Sequence, residues 1–91
     1  MSGERYSNGL LEGFLHGRGQ LAMGHIIRHI QGDEVIGKQE FDAWQDVVTY
    51  ASDALSEYQE NGDSEEVKRL TGEMMDATDK ALALSKAARA S

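Results

Sequence analysis

Arg18, His25 and His29 are the residues of this chain whose types and spacing could support recognition chemistry. They follow one another at intervals of seven and four residues, so an α-helix would carry them on one stripe. A histidine pair four residues apart can bind a divalent metal with a carboxylate from elsewhere, whereas an arginine alongside favours an anion. Three interpretations stay open: structural or interface histidines, recognition of a partner or anion, and a metal site.

The structural interpretation is favoured because this stripe lies within an apolar arc. A polar group on a buried face must find a partner, since an unpaired one costs roughly 1–3 kcal/mol. We expect the acids of the two following helices to supply those partners. The apolar arc is formed by six residues with helical spacing, namely Leu10, Leu11, Phe14, Leu15, Leu21 and Ile26.

Glycine is concentrated in the same segment, where seven of the ten glycines occupy the first 32 residues. Gly9, Gly13 and Gly17 recur at every fourth position, and Gly24 falls near the same helical stripe. Such a row leaves a smooth groove in which another helix or a ligand can approach the backbone closely. We expect it to pack within the chain or to mediate self-association, with a foreign ligand or partner as the alternative. The bulky side chains that could fill it are Phe41, Trp44 and Tyr58.

Together the polar and glycine stripes define a candidate partner-binding surface. Its members are Gly13, Gly17, Arg18, His25 and His29.

A row of acidic residues recurs at helical spacing in the middle of the chain. A line of carboxylates at helical pitch is typical of a solvated helix face, and it can also imitate a nucleic-acid backbone. The sequence therefore admits an alternative function, an acidic mimic that blocks a basic DNA- or RNA-binding groove. The members of this acidic stripe are Asp42, Asp46, Asp53, Glu57 and Glu60.

The composition limits the available chemistry. The chain has 91 residues and a net charge of −7, from 16 acidic and nine basic residues, which disfavours direct binding to nucleic-acid phosphates. It has no cysteine, so thiol nucleophiles, disulfides, Fe–S clusters and zinc–thiolate sites are excluded. No side chains are arranged as a nucleophile with its base, and we expect neither enzymatic activity nor a cofactor. No apolar run approaches the ~18 residues that span a bilayer, so we expect a cytoplasmic protein with no membrane partner.

Two apolar seams predict the helices that must position these residues. Both recur at intervals of three and four residues, and together they predict an antiparallel helical hairpin over about 38–60 and 64–88. The first seam consists of Phe41, Trp44, Val48, Ala51, Leu55 and Tyr58. The second consists of Val67, Leu70, Met74, Ala77, Ala81, Leu84 and Ala88.

The glycine-rich segment predicts a further helix over about 6–31. Each glycine near Gly17–Gly19 disfavours a helix interior by roughly 1 kcal/mol, so we expect a kink there or a break into two helices. Residues 33–37 are expected to form the connecting loop. The predicted fold is a single all-α domain over 1–91, made of a Gly-rich helical segment (1–32) and an acidic helical hairpin (38–91).

The apolar residues of the first helix cover a wider arc than one hairpin can bury. We expect a protein partner or a second copy to cover the surplus, which predicts a homodimer or higher homo-oligomer. The sequence favours a small, non-catalytic interaction protein of phage-type or bacterial accessory character, which docks on and regulates or inhibits a larger protein assembly. A second alternative is a small-ligand or metal-binding protein that uses Arg18, His25 and His29.

Overall fold

Residues 2–90, the part of the chain that the computed structural model describes, contain three α-helices and no strand. The helices are α1 (Ser2–Ile30), α2 (Lys38–Asn61) and α3 (Glu65–Ala90), and side chains are described for residues 9–90. The all-α prediction is confirmed. The side chain of Tyr6, where the helical period of the sequence begins, lies outside the described residues.

The glycine-rich segment forms one helix, so the alternative of two shorter helices is wrong. A kink near Gly17–Gly19 stays a prediction. Leu15, Ala22 and Ile26 are buried on both sides of these glycines. Because packing supplies most of a helix's stability in a folded protein, this buried face outweighs the low helix propensity of the glycines.

The predicted helix ends lie within two residues of the observed ends of α2 and α3. Gly37 is the N-cap of α2, and Gly62, with a φ of 72°, is its C-cap. The backbone N–H of Gly62 donates a hydrogen bond to the carbonyl oxygen of Tyr58 at 2.8 Å. Ser64 caps α3, since its hydroxyl oxygen accepts a hydrogen bond from the backbone N–H of Val67 at 3.2 Å.

Helix α2 lies between the other two helices and packs against both. It therefore buries a wider face than the single seam predicted from the sequence. Ala43, Val47 and Ala54 are buried beside that seam, whereas Phe41, Val48 and Leu55, which belong to it, are only partly buried. The whole buried apolar face of α2 comprises Ala43, Trp44, Val47, Ala51, Ala54 and Tyr58.

Helix α3 follows α2 after a three-residue connection and packs against it. Four of its seam residues are buried, namely Val67, Leu70, Met74 and Ala81. Thr78 is buried as well, which the apolar pattern could not indicate. Its hydroxyl donates a hydrogen bond to the carbonyl oxygen of Met74 at 2.8 Å, so the helix itself satisfies this polar group.

Helices α1 and α2 run antiparallel. Gly19 faces Ala51, His25 stacks on Trp44 and His29 meets Phe41, so residues further along α1 meet residues nearer the start of α2. A Cβ atom placed on Gly19 would lie 3.5 Å from the Cβ of Ala51, an ordinary van der Waals contact. Helix α2 thus supports α1 from one side only.

Replacing Gly62 by alanine should destabilise the hairpin. A Cβ at Gly62 would meet no atom within 4 Å, so the cost comes from the backbone, whose φ of 72° and ψ of −152° suit only glycine. We expect Gly62→Ala to lower the free energy of unfolding by about 1–3 kcal/mol in urea titrations followed by circular dichroism.

The matched control is Gly72→Ala, at an exposed position inside α3 that also has open space around it. This change should raise the free energy of unfolding by roughly 0.5–1 kcal/mol, because alanine is the better helix former. Equal effects of the two substitutions would contradict the backbone explanation.

Candidate functional site

His25 faces the core and stacks on the only tryptophan of the chain. The two ring centroids lie 4.3 Å apart with an angle of 10° between the planes. Trp44 is fully buried, and its Nε1 donates a hydrogen bond to Oε2 of Glu40 at 3.0 Å. The other neighbour of His25 is Glu34, whose Oε1 lies 3.1 Å from Nδ1 of the histidine. The four side chains form a continuous polar and aromatic link between α1, the loop and α2.

The side chain of His29 contacts the backbone of the same loop. Its Nδ1 lies 3.1 Å from the carbonyl oxygen of Glu34 and 3.3 Å from the backbone N–H of Ile36. One nitrogen cannot donate and accept at once, so the protonation state of the ring selects which of the two contacts is a hydrogen bond. The ring also packs against Phe41 at a centroid distance of 5.3 Å.

The histidines therefore have structural partners, as the sequence favoured, but the source of these partners was predicted wrongly. Glu34 and the backbone of the 33–37 loop supply them, rather than the acids of α2 and α3. The loop follows α1 directly and folds back over its last turns, which brings Glu34 close to His25. Glu34 could not be found by helical spacing, because it lies outside any helix.

Arg18 is separate from this network. Its guanidinium carbon lies 5.3 Å from the centroid of the Phe14 ring, in the range of a cation–π interaction, and both residues are partly buried. The predicted polar stripe thus divides into an arginine placed over an aromatic ring and two histidines tied to the loop. Among the described residues, no group of three His, Asp or Glu side chains is placed to hold a metal ion.

The glycine stripe faces away from the rest of the molecule. A Cβ atom placed on Gly9, Gly13, Gly17 or Gly24 would meet no atom within 4 Å. The expectation that Phe41, Trp44 or Tyr58 fills this groove within the chain is therefore wrong. Helix α1 turns its larger apolar residues Leu15, Ala22 and Ile26 to the core, and this rotation leaves the small residues outside.

Apolar side chains border the glycines on both sides. At about 100° per residue, Leu10 and Leu21 follow one edge of the stripe and Met23 and Ile27 follow the other. All four are exposed, from 42% for Leu21 to 65% for Leu10. We call this surface the outer face of α1. Its residues are Leu10, Gly13, Gly17, Leu21, Met23, Gly24 and Ile27, none of which is charged.

The acidic stripe lies on a solvent-facing side of α2. Asp42, Asp46, Asp53 and Glu60 are exposed, and Asp42 accepts a hydrogen bond from Lys38 at 3.0 Å. Glu57 differs, because its Oε1 accepts hydrogen bonds from Asn61 at 2.9 Å and from Ser64 at 3.3 Å. Its carboxylate belongs to the turn between α2 and α3.

Shifted pKa values occur away from the outer face of α1. Burial raises the pKa of Tyr58, and the nearby charges of Glu12 and Asp63 raise it further. On α3, a hydrogen bond from Arg69 lowers the pKa of Glu66, and the same bond raises the pKa of the arginine. Both effects stabilise the charged pair and report helix and packing contacts rather than a reactive group.

Comparison with known proteins gave no match to any family model, curated protein or solved structure. Over the described residues, none of the three helices combines the length and apolar character needed to cross a membrane. The function has to be inferred from the chain's own residues.

Removing the carboxylate of Glu34 should loosen α1 from the loop. We expect Glu34→Ala to lower the free energy of unfolding by roughly 0.5–1.5 kcal/mol, because His25 loses its partly buried partner. The single tryptophan, buried against His25, reports unfolding through its fluorescence.

Asp33→Ala is the matched control, since it removes the same charge from the neighbouring exposed position. It should change the free energy of unfolding by less than about 0.5 kcal/mol. If the two variants were equally stable, the His25–Glu34 contact would not hold the loop.

Proposed function

We propose that this chain is a small, non-catalytic interaction protein that docks on a larger protein assembly and regulates it. The outer face of α1 is the proposed docking surface. The observation that supports this proposal is a mainly apolar surface, in which glycines with open space above them lie between exposed leucine, methionine and isoleucine side chains. At about 100° per residue, Gln20 and Arg28 are the exposed polar residues of the same arc.

The glycines of this face have no function in the packing of the chain itself. Gly13, Gly17 and Gly24 have open space above them and no positive φ, so alanine would fit at each position. Each glycine in a helix interior costs roughly 1 kcal/mol relative to alanine. Their presence is explained if another surface approaches the α1 backbone closely.

The outer face also has the composition of the centre of an interface. The cores of protein interfaces are depleted of charged residues and enriched in large apolar ones, whereas free surfaces carry many charges. The remainder of the chain has that second character, since residues 33–91 contain fourteen acids and six bases. A partner would meet a mainly apolar centre on α1, with Arg28 towards one end of the face and the acids of α2 and α3 further away.

A substitution on the glycine stripe should abolish docking without unfolding the chain. We expect full-length Gly13→Leu, immobilised as bait, to capture at least about tenfold less of the partner protein than the wild type, because the new side chain prevents close approach. Gly72→Leu places the same side chain in open space on α3 and should capture as much as the wild type.

Melting temperatures of both variants, from circular dichroism at a protein concentration low enough to keep the chains monomeric, should be at or above that of the wild type. Equal capture by the Gly13 and Gly72 variants would overturn the outer face as the docking surface.

The acidic mimic is a second candidate, supported by the exposure of Asp42, Asp46, Asp53 and Glu60 on α2. It is weaker because Asp42 is paired with Lys38 and Glu57 belongs to a turn. The ligand or metal alternative has less support, since Nδ1 of His25 and of His29 already contacts the loop.

Charge reversal separates the mimic from α1 docking. If α1 docks, the double variant Asp46→Lys with Asp53→Lys should capture the partner as well as the control Glu73→Lys with Asp76→Lys, which changes net charge equally on α3. Binding should also vary little with salt, because an apolar surface carries the contact. Loss of binding in the first variant alone, with steep weakening by salt, would favour the mimic.

A further inference from the structure

We infer that a second copy of this chain covers the outer face of α1 and so regulates its availability. This inference rests on the proposed function, because it takes that face to be the docking surface. In the inferred pair, two α1 helices lie with their outer faces against each other and with the two Gly17 residues close to the two-fold axis, where each meets its own copy.

The exposed area supports a missing neighbour of this size. The chain exposes 6145 Å², whereas a compact monomer of its 10.0 kDa mass exposes about 5,200 Å². The difference of about 900 Å² is similar to the ~800 Å² that each partner buries in an interface of standard size. The structure is elongated, at 50 × 22 × 19 Å, and most of the large apolar side chains exposed among the described residues lie on α1.

The distribution of apolar residues around α1 also indicates a missing neighbour. Leu15, Ala22 and Ile26 bury one side of the helix, while Leu10 and Ile27 lie exposed on the opposite half. Helix α1 therefore carries apolar residues on two sides, and only the inner group is buried. Helix α2 covers the inner side and α3 packs chiefly against α2, so neither of the other two described helices covers the outer side.

Charge favours a second copy through this face over any other pairing of two copies. The chain carries a net charge of −7, and its acids are concentrated on α2 and α3. Two copies that met through those helices would bring like charges together, which is unfavourable. Between residues 9 and 31 the only charged side chains, histidines aside, are Glu12, Arg18 and Arg28, so two α1 helices meet without that repulsion.

The glycine stripe is also complementary to itself. Two helices approach closely only when both present small residues along the line of contact, as paired glycine stripes do. Gly13, Gly17 and Gly24 provide such a line on each copy, and the flanking leucine, methionine and isoleucine side chains then bury against the partner's flanks. A chain docked in this way cannot offer the same face to another protein, so self-association sets how much docking surface is free.

The test is the mass of the full-length chain by light scattering after size exclusion, at roughly 100 µM chain, where an interface of standard size is populated. We expect the wild type and Gly72→Leu to have twice the mass of one 10.0 kDa chain, and Gly17→Leu to have the mass of one chain. Gly17→Leu should stay folded, because its new side chain meets open space. Its melting temperature should be at or above that of the wild type measured at a low concentration, where the wild type is monomeric.

A second measurement uses the absence of cysteine from the chain. Gly17→Cys should form a disulfide-linked dimer under mild oxidation, and Gly72→Cys, on α3, should form at least about tenfold less.

A monomeric wild type, or equal masses or equal cross-linking for the two positions, overturns the inference. If the wild type is monomeric while capture of a partner still depends on Gly13, the second copy is excluded and the proposed docking function stands. If the chain dimerises through Gly17 while capture ignores Gly13, the docking function fails instead.

Discussion

The stacking of His25 on Trp44 is the contact on which the arrangement of the other elements depends. It joins α1 to a fully buried ring on α2, and it fixes the rotation of α1 about its own axis. Glu34 holds the imidazole from the loop and Glu40 holds the indole from within α2. With the rotation fixed, Leu15 and Ile26 face the core and the glycines face outward. The packing of the inner side of α1 thus determines which residues form its outer face.

A buried carboxylate is an unusual support for such a contact, since Glu40 is only 4% exposed. Two features offset the cost of desolvation. Its Oε2 accepts a hydrogen bond from the indole N–H, and its position in the first turn of α2 places the negative charge near the positive end of the helix dipole. Glu40 and Trp44 are four residues apart in α2, so their side chains are neighbours on the helix surface. The hydrogen bond from the indole N–H to Glu40 therefore orients the tryptophan ring from within α2.

The sequence predicted the elements well and the contacts between them poorly. Regular seams and the glycines at 37 and 62 identified α2, α3 and their ends, because period and cap chemistry are local properties. The direction in which the glycine stripe points is not local, since it depends on which side of α1 packs against α2. Glu34 was missed for the same reason: a loop residue nine positions from His25 has no periodic relation to it. Glycines were taken to mark an internal close approach. Among the described glycines only Gly19 has such a neighbour, since a Cβ placed there would lie 3.5 Å from the Cβ of Ala51.

The energetic consequence of the outward glycines is large for a chain of this size. Gly9, Gly13, Gly17 and Gly24 all lie in open space within α1, and at roughly 1 kcal/mol each they lower helix stability by about 4 kcal/mol relative to alanine. A small domain has only about 5–15 kcal/mol of net stability, so this is a substantial fraction. Association that buries the glycine face stabilises the folded chain by mass action, because the unfolded chain has no such face. The proposed occupation of the outer face would therefore be coupled to the folding of α1, because the helix that the glycines weaken is the one that a neighbour would stabilise.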